Sequence, residues 1–234
     1  MTPHDPNLQR IELVAAALGP LREQLVFVGG CAAGLLISDP AATPIRATVD
    51  VDLVVQVTAL AAYHQMEGEF ERMGFKRDMK AEAPICRWVY RNIEVDLMPT
   101  QPDILGFANR WYPHAMATAR VFALPSGVPI RLIDAPAFLG TKFEAFAGRG
   151  QGDLLASHDL EDLLNVIAGR NELLGEIEHS SPELRAYLAQ ECGKLLAMRD
   201  FADYLPGLVG DYDSPAWKAE LVLERLQAIV GFGA

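Results

Sequence analysis

Two aspartates one residue apart, Asp50 and Asp52, open an otherwise apolar segment, Asp50-Val51-Asp52-Leu53-Val54-Val55. This pattern constrains the fold more than any other feature of the chain. A strand alternates its side chains between two faces, so both carboxylates project from one face while Val49, Val51 and Leu53 project from the other. Like charges side by side on a sheet are destabilising, so a cation is expected between them, and a divalent metal suits paired carboxylates best. Upstream, the apolar run Leu25-Val26-Phe27-Val28 ends on Gly29-Gly30 and gives way to the small, apolar Cys31 to Ile37. Strand, glycine turn and helix are predicted in that order.

The remaining chain reads as mixed α/β followed by helices. Ile11 to Leu18 has helical spacing and stops at Gly19-Pro20; Asp39 to Pro44 is a loop; Thr48 to Val57 is the strand that carries the aspartates; Ala59 to Met73 returns to helical spacing. Phe75 to Arg77 predicts an edge strand. Cys86 to Tyr90 and Ile93 to Met98 predict a hairpin turning at Arg91-Asn92, with Asp96 on its polar side. Val128 to Ile133 predicts a last strand, after which Asp134 is placed to cap a helix through Leu139, Lys142, Phe143 and Phe146. Ser157 to Ala168, Ser181 to Met198 and Ala216 to Val230 are predicted as helices. The expected division is an α/β domain over residues 1–135 and a helical domain over 136–234, with Gly148 to Gly152 as the other place for the boundary.

Composition narrows the classes. The 234 residues can bury a sizeable core without disulfides, and no apolar run approaches the roughly 20 residues that span a bilayer. Cys31, Cys86 and Cys192 are odd in number and far apart, which argues for a reduced, cytoplasmic setting and against a zinc cluster. The first residues lack the basic patch and apolar core of a signal peptide, which agrees with that expectation. A net charge of −11 works against non-specific nucleic-acid binding, which rests on neutralised phosphates. An RNA partner would need a local patch, drawn from Arg87, Arg91, Arg110, Arg120 and Arg149.

Paired carboxylates near a glycine turn at a helix N-terminus suit metal-dependent phosphoryl chemistry. The helix start offers unpaired N–H groups and the positive end of its dipole to a phosphate, and glycines let the backbone come close. Magnesium is commonly held by a few carboxylates together with substrate phosphates.

Gly29-Gly30, Asp50-x-Asp52 in an apolar strand, and Asp96 between Val95 and Leu97 resemble the signature of the polymerase-beta-like nucleotidyltransferase superfamily. Arg46-x-Thr48-x-Asp50-Val51-Asp52-Leu53, with Ala135-Pro136-x-x-Leu139-x-x-Lys142-x-x-Ala145 and His158-Asp159-x-x-Asp162-Leu163, is similar to nucleotidyltransferase toxins of AbiEii type over roughly residues 25 to 170. The resemblance implies a nucleotidyltransferase fold of the α/β class, with a mixed central sheet and a helical C-terminal part. It also implies transfer of a nucleoside monophosphate from a nucleoside triphosphate to an acceptor hydroxyl on RNA (tRNA included), a protein or a small molecule. By the same resemblance Asp50, Asp52 and Asp96 hold Mg²⁺ or Mn²⁺ and carry catalysis, while Gly29, Gly30, Arg46, Thr48, Lys142 and Asp159 bind the nucleotide. An antitoxin protein is the implied partner. The chain departs from the family pattern at Cys31, where a hydroxyl or small residue is more usual, and at His158, where a basic residue often stands.

Two other readings are open. One is a nucleotide-binding partner that has the carboxylates and no catalysis. The other is a Rossmann dinucleotide site, for which Gly29 to Gly34 lacks the third glycine at the expected place.

Overall fold

The apolar run before the glycines lies inside a mixed seven-stranded sheet, and both neighbours of that strand come from distant parts of the chain. The computed structural model describes residues 5–42, 45–149, 153–209 and 217–233. Its first elements are α1 (Leu8–Leu18), β1 (Leu25–Val28), α2 (Gly29–Leu36), β2 (Asp50–Val55), α3 (Leu60–Arg72), β3 (Lys76–Arg77), β4 (Arg87–Tyr90) and β5 (Ile93–Pro99). Then follow α4 (Pro102–Leu105), α5 (Tyr112–Thr118), β6 (Arg120–Ala123) and β7 (Pro129–Leu132). The strand order is β3-β4-β5-β2-β1-β7-β6. β1 runs antiparallel to β2 and parallel to β7, and β2 runs parallel to β5.

The chain divides into two compact units, one of Pro6–Ala32 and Ala47–Asp134, the other of Ala33–Arg46 and Ala135–Ala234 with the residues up to Asp5. The first holds the whole sheet. All four side chains of β1 are buried, as its unbroken apolar run requires of a strand covered on both faces. Beside it, Phe70 of α3 meets Phe75 and Trp88 with ring centres 4.8 and 5.6 Å away, and Phe75 meets Tyr90 at 4.9 Å. Each such pair contributes about 0.5–1.5 kcal/mol beyond burial, which ties α3 to the hairpin edge of the sheet. The hairpin turns at Arg91-Asn92 as predicted, pairing Tyr90 with Ile93, and Arg91 takes a φ of 52°. Two-residue hairpin turns of the favoured kind need such positive φ values.

The second unit contains α6 (Ala135–Arg149), α7 (His158–Gly169), α8 (Leu173–Glu178), α9 (Pro182–Leu196), α10 (Phe201–Val209) and α11 (Trp217–Gly231). Ser157 caps α7 by accepting from the Leu160 N–H at 3.2 Å, and Ser181 caps α9 by accepting from Leu184 at 3.3 Å. α6 packs on α7 and α9, and α11 packs on α9 and α7. The segment Ala33–Arg46, which lies in the N-terminal part of the sequence, groups with these helices. Arg170 ties it there, donating from Nη1 to the Leu36 carbonyl at 2.6 Å.

The α/β class with a mixed central sheet and a helical C-terminal part is the class this chain adopts. Details differ from the expectation. β2 starts at Asp50, because the Thr48 N–H is taken by the Asn7 side chain at 2.8 Å. α2 starts at Gly29 itself. β6, α4, α5, α8 and α10 had no counterpart in the sequence reading. Pro44 of the expected loop and Gly150 to Gly152 of the second boundary region lie outside the described residues, as does the side chain of Arg149. Among the described residues no helix is long and apolar enough to cross a membrane.

Candidate active site

The carboxylates converge because of strand register. β2 and β5 pair Asp50 with Glu94 and Asp52 with Asp96, and β4 pairs Arg87 with Asp96. The pleat therefore places Asp50, Asp52, Glu94, Asp96 and Arg87 on one face, and Val51, Leu53, Val95, Leu97 and Trp88 on the other, where all five are fully buried. One oxygen from each of Asp50, Asp52 and Asp96 lies within 4.8 Å of the others. Asp96 is buried, and Asp50 and Asp52 are half-buried. A set of three carboxylates is a hard-oxygen donor set and fits Mg²⁺ or Mn²⁺ better than a soft metal.

Gly29 sits against this cluster. β1 pairs Val28 with Asp52, so the chain leaves β1 beside the carboxylates. Gly29 has a φ of 69°, and a Cβ built on it would stand 1.7 Å from Asp52 Oδ2. Two independent demands, the left-handed backbone and the close carboxylate, make glycine necessary there. The first turn of α2, with buried Gly30 in it, follows directly, and its N–H groups start beside Asp52. The Cys31 thiol donates back to the Val28 carbonyl at 3.4 Å.

A cation does stand among the acids, and it is a side chain. Arg87 donates from Nε to Asp96 Oδ1 at 2.8 Å and from Nη2 to Asp96 Oδ2 at 2.8 Å. The same Nη2 is 3.2 Å from Asp50 Oδ2, and Nη1 reaches Glu94 Oε2 at 2.5 Å. The hydrogen bonds to Asp96, against the opposing effect of burial, hold the Arg87 guanidinium above its ordinary range, so it stays charged. Arg87 therefore belongs to the carboxylate site rather than to a basic patch for RNA. Burial first, and Asp96 second, push the neighbouring Cys86 thiol up to about 12, so it stays a neutral thiol and a poor nucleophile.

The other residues expected at the nucleotide divide between the two units. Thr48 belongs to the sheet unit, where it is buried; its Oγ1 lies 3.3 Å from Asn7 Oδ1 and donates to the Asp50 carbonyl at 3.2 Å. Its hydroxyl braces the start of β2. Arg46, Lys142 and Asp159 belong to the helical unit and meet through Asp162. Arg46 grips Asp162 with two parallel bonds of 2.8 Å, and Lys142 Nζ reaches Asp162 at 2.7 Å and Asp159 at 3.0 Å. Burial lowers the pKa of Lys142, but Asp162 and Asp159 more than offset this and raise it overall. Asp162, 1% exposed, is thus the centre of the network, a role its place in the sequence did not single out. A signal was present: an acid three residues after Asp159 shares its helix face.

The Rossmann reading fails on topology. A dinucleotide unit needs its first two strands parallel, joined by a crossover helix, whereas β1 and β2 are antiparallel. Neither a protein-family model nor a curated protein matches this chain. Solved structures do. The antibiotic-resistance factor ANT(2'')-Ia is 16% identical with a TM-score of 0.45, over 69% of this chain and 82% of its own. JHP933 from Helicobacter pylori is 14% identical with a TM-score of 0.48, over 98% and 94% of the two chains. A protein from H. pylori described as a nucleotidyltransferase is 13% identical with a TM-score of 0.46, over 98% and 97%.

Proposed function

We propose that this chain is a metal-dependent nucleotidyltransferase, moving a nucleoside monophosphate from a nucleoside triphosphate to an acceptor hydroxyl. The observation that carries the reading is the convergence of Asp50, Asp52 and Asp96 beside Gly29, where a strand ends and a helix begins. Asp50, Asp52 and Asp96 would hold Mg²⁺, which when bound neutralises phosphate charge and stabilises the oxygens of an in-line displacement. By the resemblance, Gly29 and Gly30 would lie under the triphosphate at the start of α2, where the positive end of the helix dipole favours phosphate. By the resemblance, Asp96 would also help take the proton of the acceptor hydroxyl once its oxygens are released from Arg87. In the helical unit, Lys142 and Arg46 are the cations proposed for the nucleotide, held in place by Asp159 and Asp162.

The AbiEii-like motif pattern supports a finer reading, a toxin whose partner is an antitoxin and whose acceptor is an RNA, a protein or a small molecule. The net charge of −11 and the commitment of Arg87 to the acids weigh against an extended RNA surface. The test is transfer of label from each of the four nucleoside triphosphates with Mg²⁺, in wild type and in Asp50→Asn and Asp52→Asn. Label moving onto an acceptor in wild type and in neither variant is the expected result. Calorimetric binding of a triphosphate without transfer to any acceptor would favour a non-catalytic nucleotide-binding partner.

A further inference from the structure

Resting on the metal-dependent reading above, we propose that Arg87 is the resident counter-ion of the carboxylate site, standing where a divalent cation would bridge Asp50 and Asp96 and competing with it for them. One atom, Nη2, is within hydrogen-bond reach of both acids, at 2.8 Å from Asp96 and 3.2 Å from Asp50. Nε takes the second oxygen of Asp96, so both oxygens of the most buried ligand are engaged. The strand register that pairs Arg87 with Asp96 makes the arrangement a property of the sheet.

The geometry sets the guanidinium and a metal against each other. Carboxylate oxygens around Mg²⁺ lie about 2.0–2.1 Å from it, so any two of them are at most about 4.2 Å apart. Here Asp50 Oδ2 and Asp96 Oδ2 both accept from Nη2, so the guanidinium already engages oxygens that a metal would need. A metal held by the same oxygens would compete with Nη2 for them and put a double positive charge beside the guanidinium. Glu94 supplies the alternative. It is outside the three-acid cluster, bonds Nη1 at 2.5 Å, and can keep hold of the guanidinium as Nη2 turns away from Asp50. In the metal-free protein Arg87 relieves repulsion among the acids; in the loaded one its charge raises the metal concentration that loading requires. A fixed strut that only orients Asp96 would have the opposite signature, since its loss would weaken metal binding.

The experiment uses the full chain. Mn²⁺ binding is measured by electron paramagnetic resonance and Mg²⁺ binding by calorimetry, in wild type, Arg87→Gln and Arg87→Lys, with thermal melts to report folding. Arg87→Gln is expected to bind Mn²⁺ about tenfold more tightly. Arg87→Lys, which keeps the charge and loses the two-pronged grip, should fall between that variant and wild type. Unchanged or weaker binding in Arg87→Gln, with clear binding in wild type, overturns the role of Arg87 and leaves the metal site standing. Absence of binding in wild type and in Arg87→Gln alike removes the metal-dependent reading and this one with it, whereas binding in Arg87→Gln alone supports the competition. Should Arg87→Gln not fold, the Arg87 Nε–H resonance of wild type decides: it should shift and exchange faster with solvent when Mg²⁺ is added, and an unmoved signal alongside a heat of binding overturns the proposal.

Discussion

In the helical unit two cations, Arg46 and Lys142, meet two acids, Asp159 and Asp162, and the charges balance. In the sheet unit four acids, Asp50, Asp52, Glu94 and Asp96, gather about Arg87, with Lys80 reaching Glu94 at 3.4 Å, and the acids outnumber these two cations. The difference separates two uses of charge. A buried network with matched signs satisfies itself, and losing one member leaves its partners as isolated charges in a low-dielectric interior. A half-buried site with an excess of acid is held short of neutrality and draws in cations from solution. The first kind is held in place by its own pairing, and the second keeps negative charge to spare for a cation.

The sharpest way to break this distinction is Asp52→Asn. It should lower nucleotidyl transfer by about a thousandfold or more, the scale of losing several kcal/mol of transition-state stabilisation. A thermal melt checks that the variant still folds. A variant that transfers normally would remove the sheet cluster from catalysis. Asp162→Ala tests the other side. It removes both bonds that Arg46 makes to Asp162 and one of the two carboxylates that hold Lys142, and should cost about 3 kcal/mol or more in urea unfolding. A loss below about 1 kcal/mol would mean that the helical network contributes little to the fold.

Gly29→Ala joins both kinds of effect. The strained φ costs about 1–3 kcal/mol and the added Cβ displaces the Asp52 carboxylate, so stability and Mn²⁺ affinity should fall together. If affinity is kept, the contact between Gly29 and Asp52 has no bearing on the site. The smallest expected effect comes from alkaline pH. Tyr63 donates to the Leu97 carbonyl at 2.8 Å, and burial, followed by Glu67, raises its pKa; Lys142 is also raised. For both groups the fold favours the protonated form, so their contribution is fully present below their ordinary values near pH 10 and is lost as pH climbs through the raised ones. Tyr63→Phe should remove about 1 kcal/mol at neutral pH and flatten the alkaline loss seen in denaturant melts. An equally steep loss in the variant assigns the slope to other groups.

Much of the site was legible before any coordinates. Alternation put Asp50 and Asp52 on one face, and the glycine pair after an apolar run marked the start of α2. Electrostatics asked for a cation among the acids, and one is there. Its identity was not legible, because Arg87 and Asp50 are 37 residues apart and only the pairing of β4 with β5 and of β5 with β2 brings them together. The elements that went unread did so for different reasons. β6 is mostly exposed along its length, so it carries no buried face to mark it, and α10 contains Pro206, which reads as a helix breaker. Lys142 was read from the motif as a nucleotide contact, and only helix packing shows that it is buried between Asp159 and Asp162.

By itself the sequence determined which residues share a face and where the backbone turns, because period, glycine and proline act over a few residues. It thereby settled the α/β class, the acidic strand and the glycine turn that ends β1. Only the tertiary structure decided the partners. Strand order selects Asp96 and Arg87 for Asp52 and Asp50, and helix packing selects Asp162 for Arg46 and Lys142. Charge interactions depend on distance in space, and no local pattern in the chain encodes that distance.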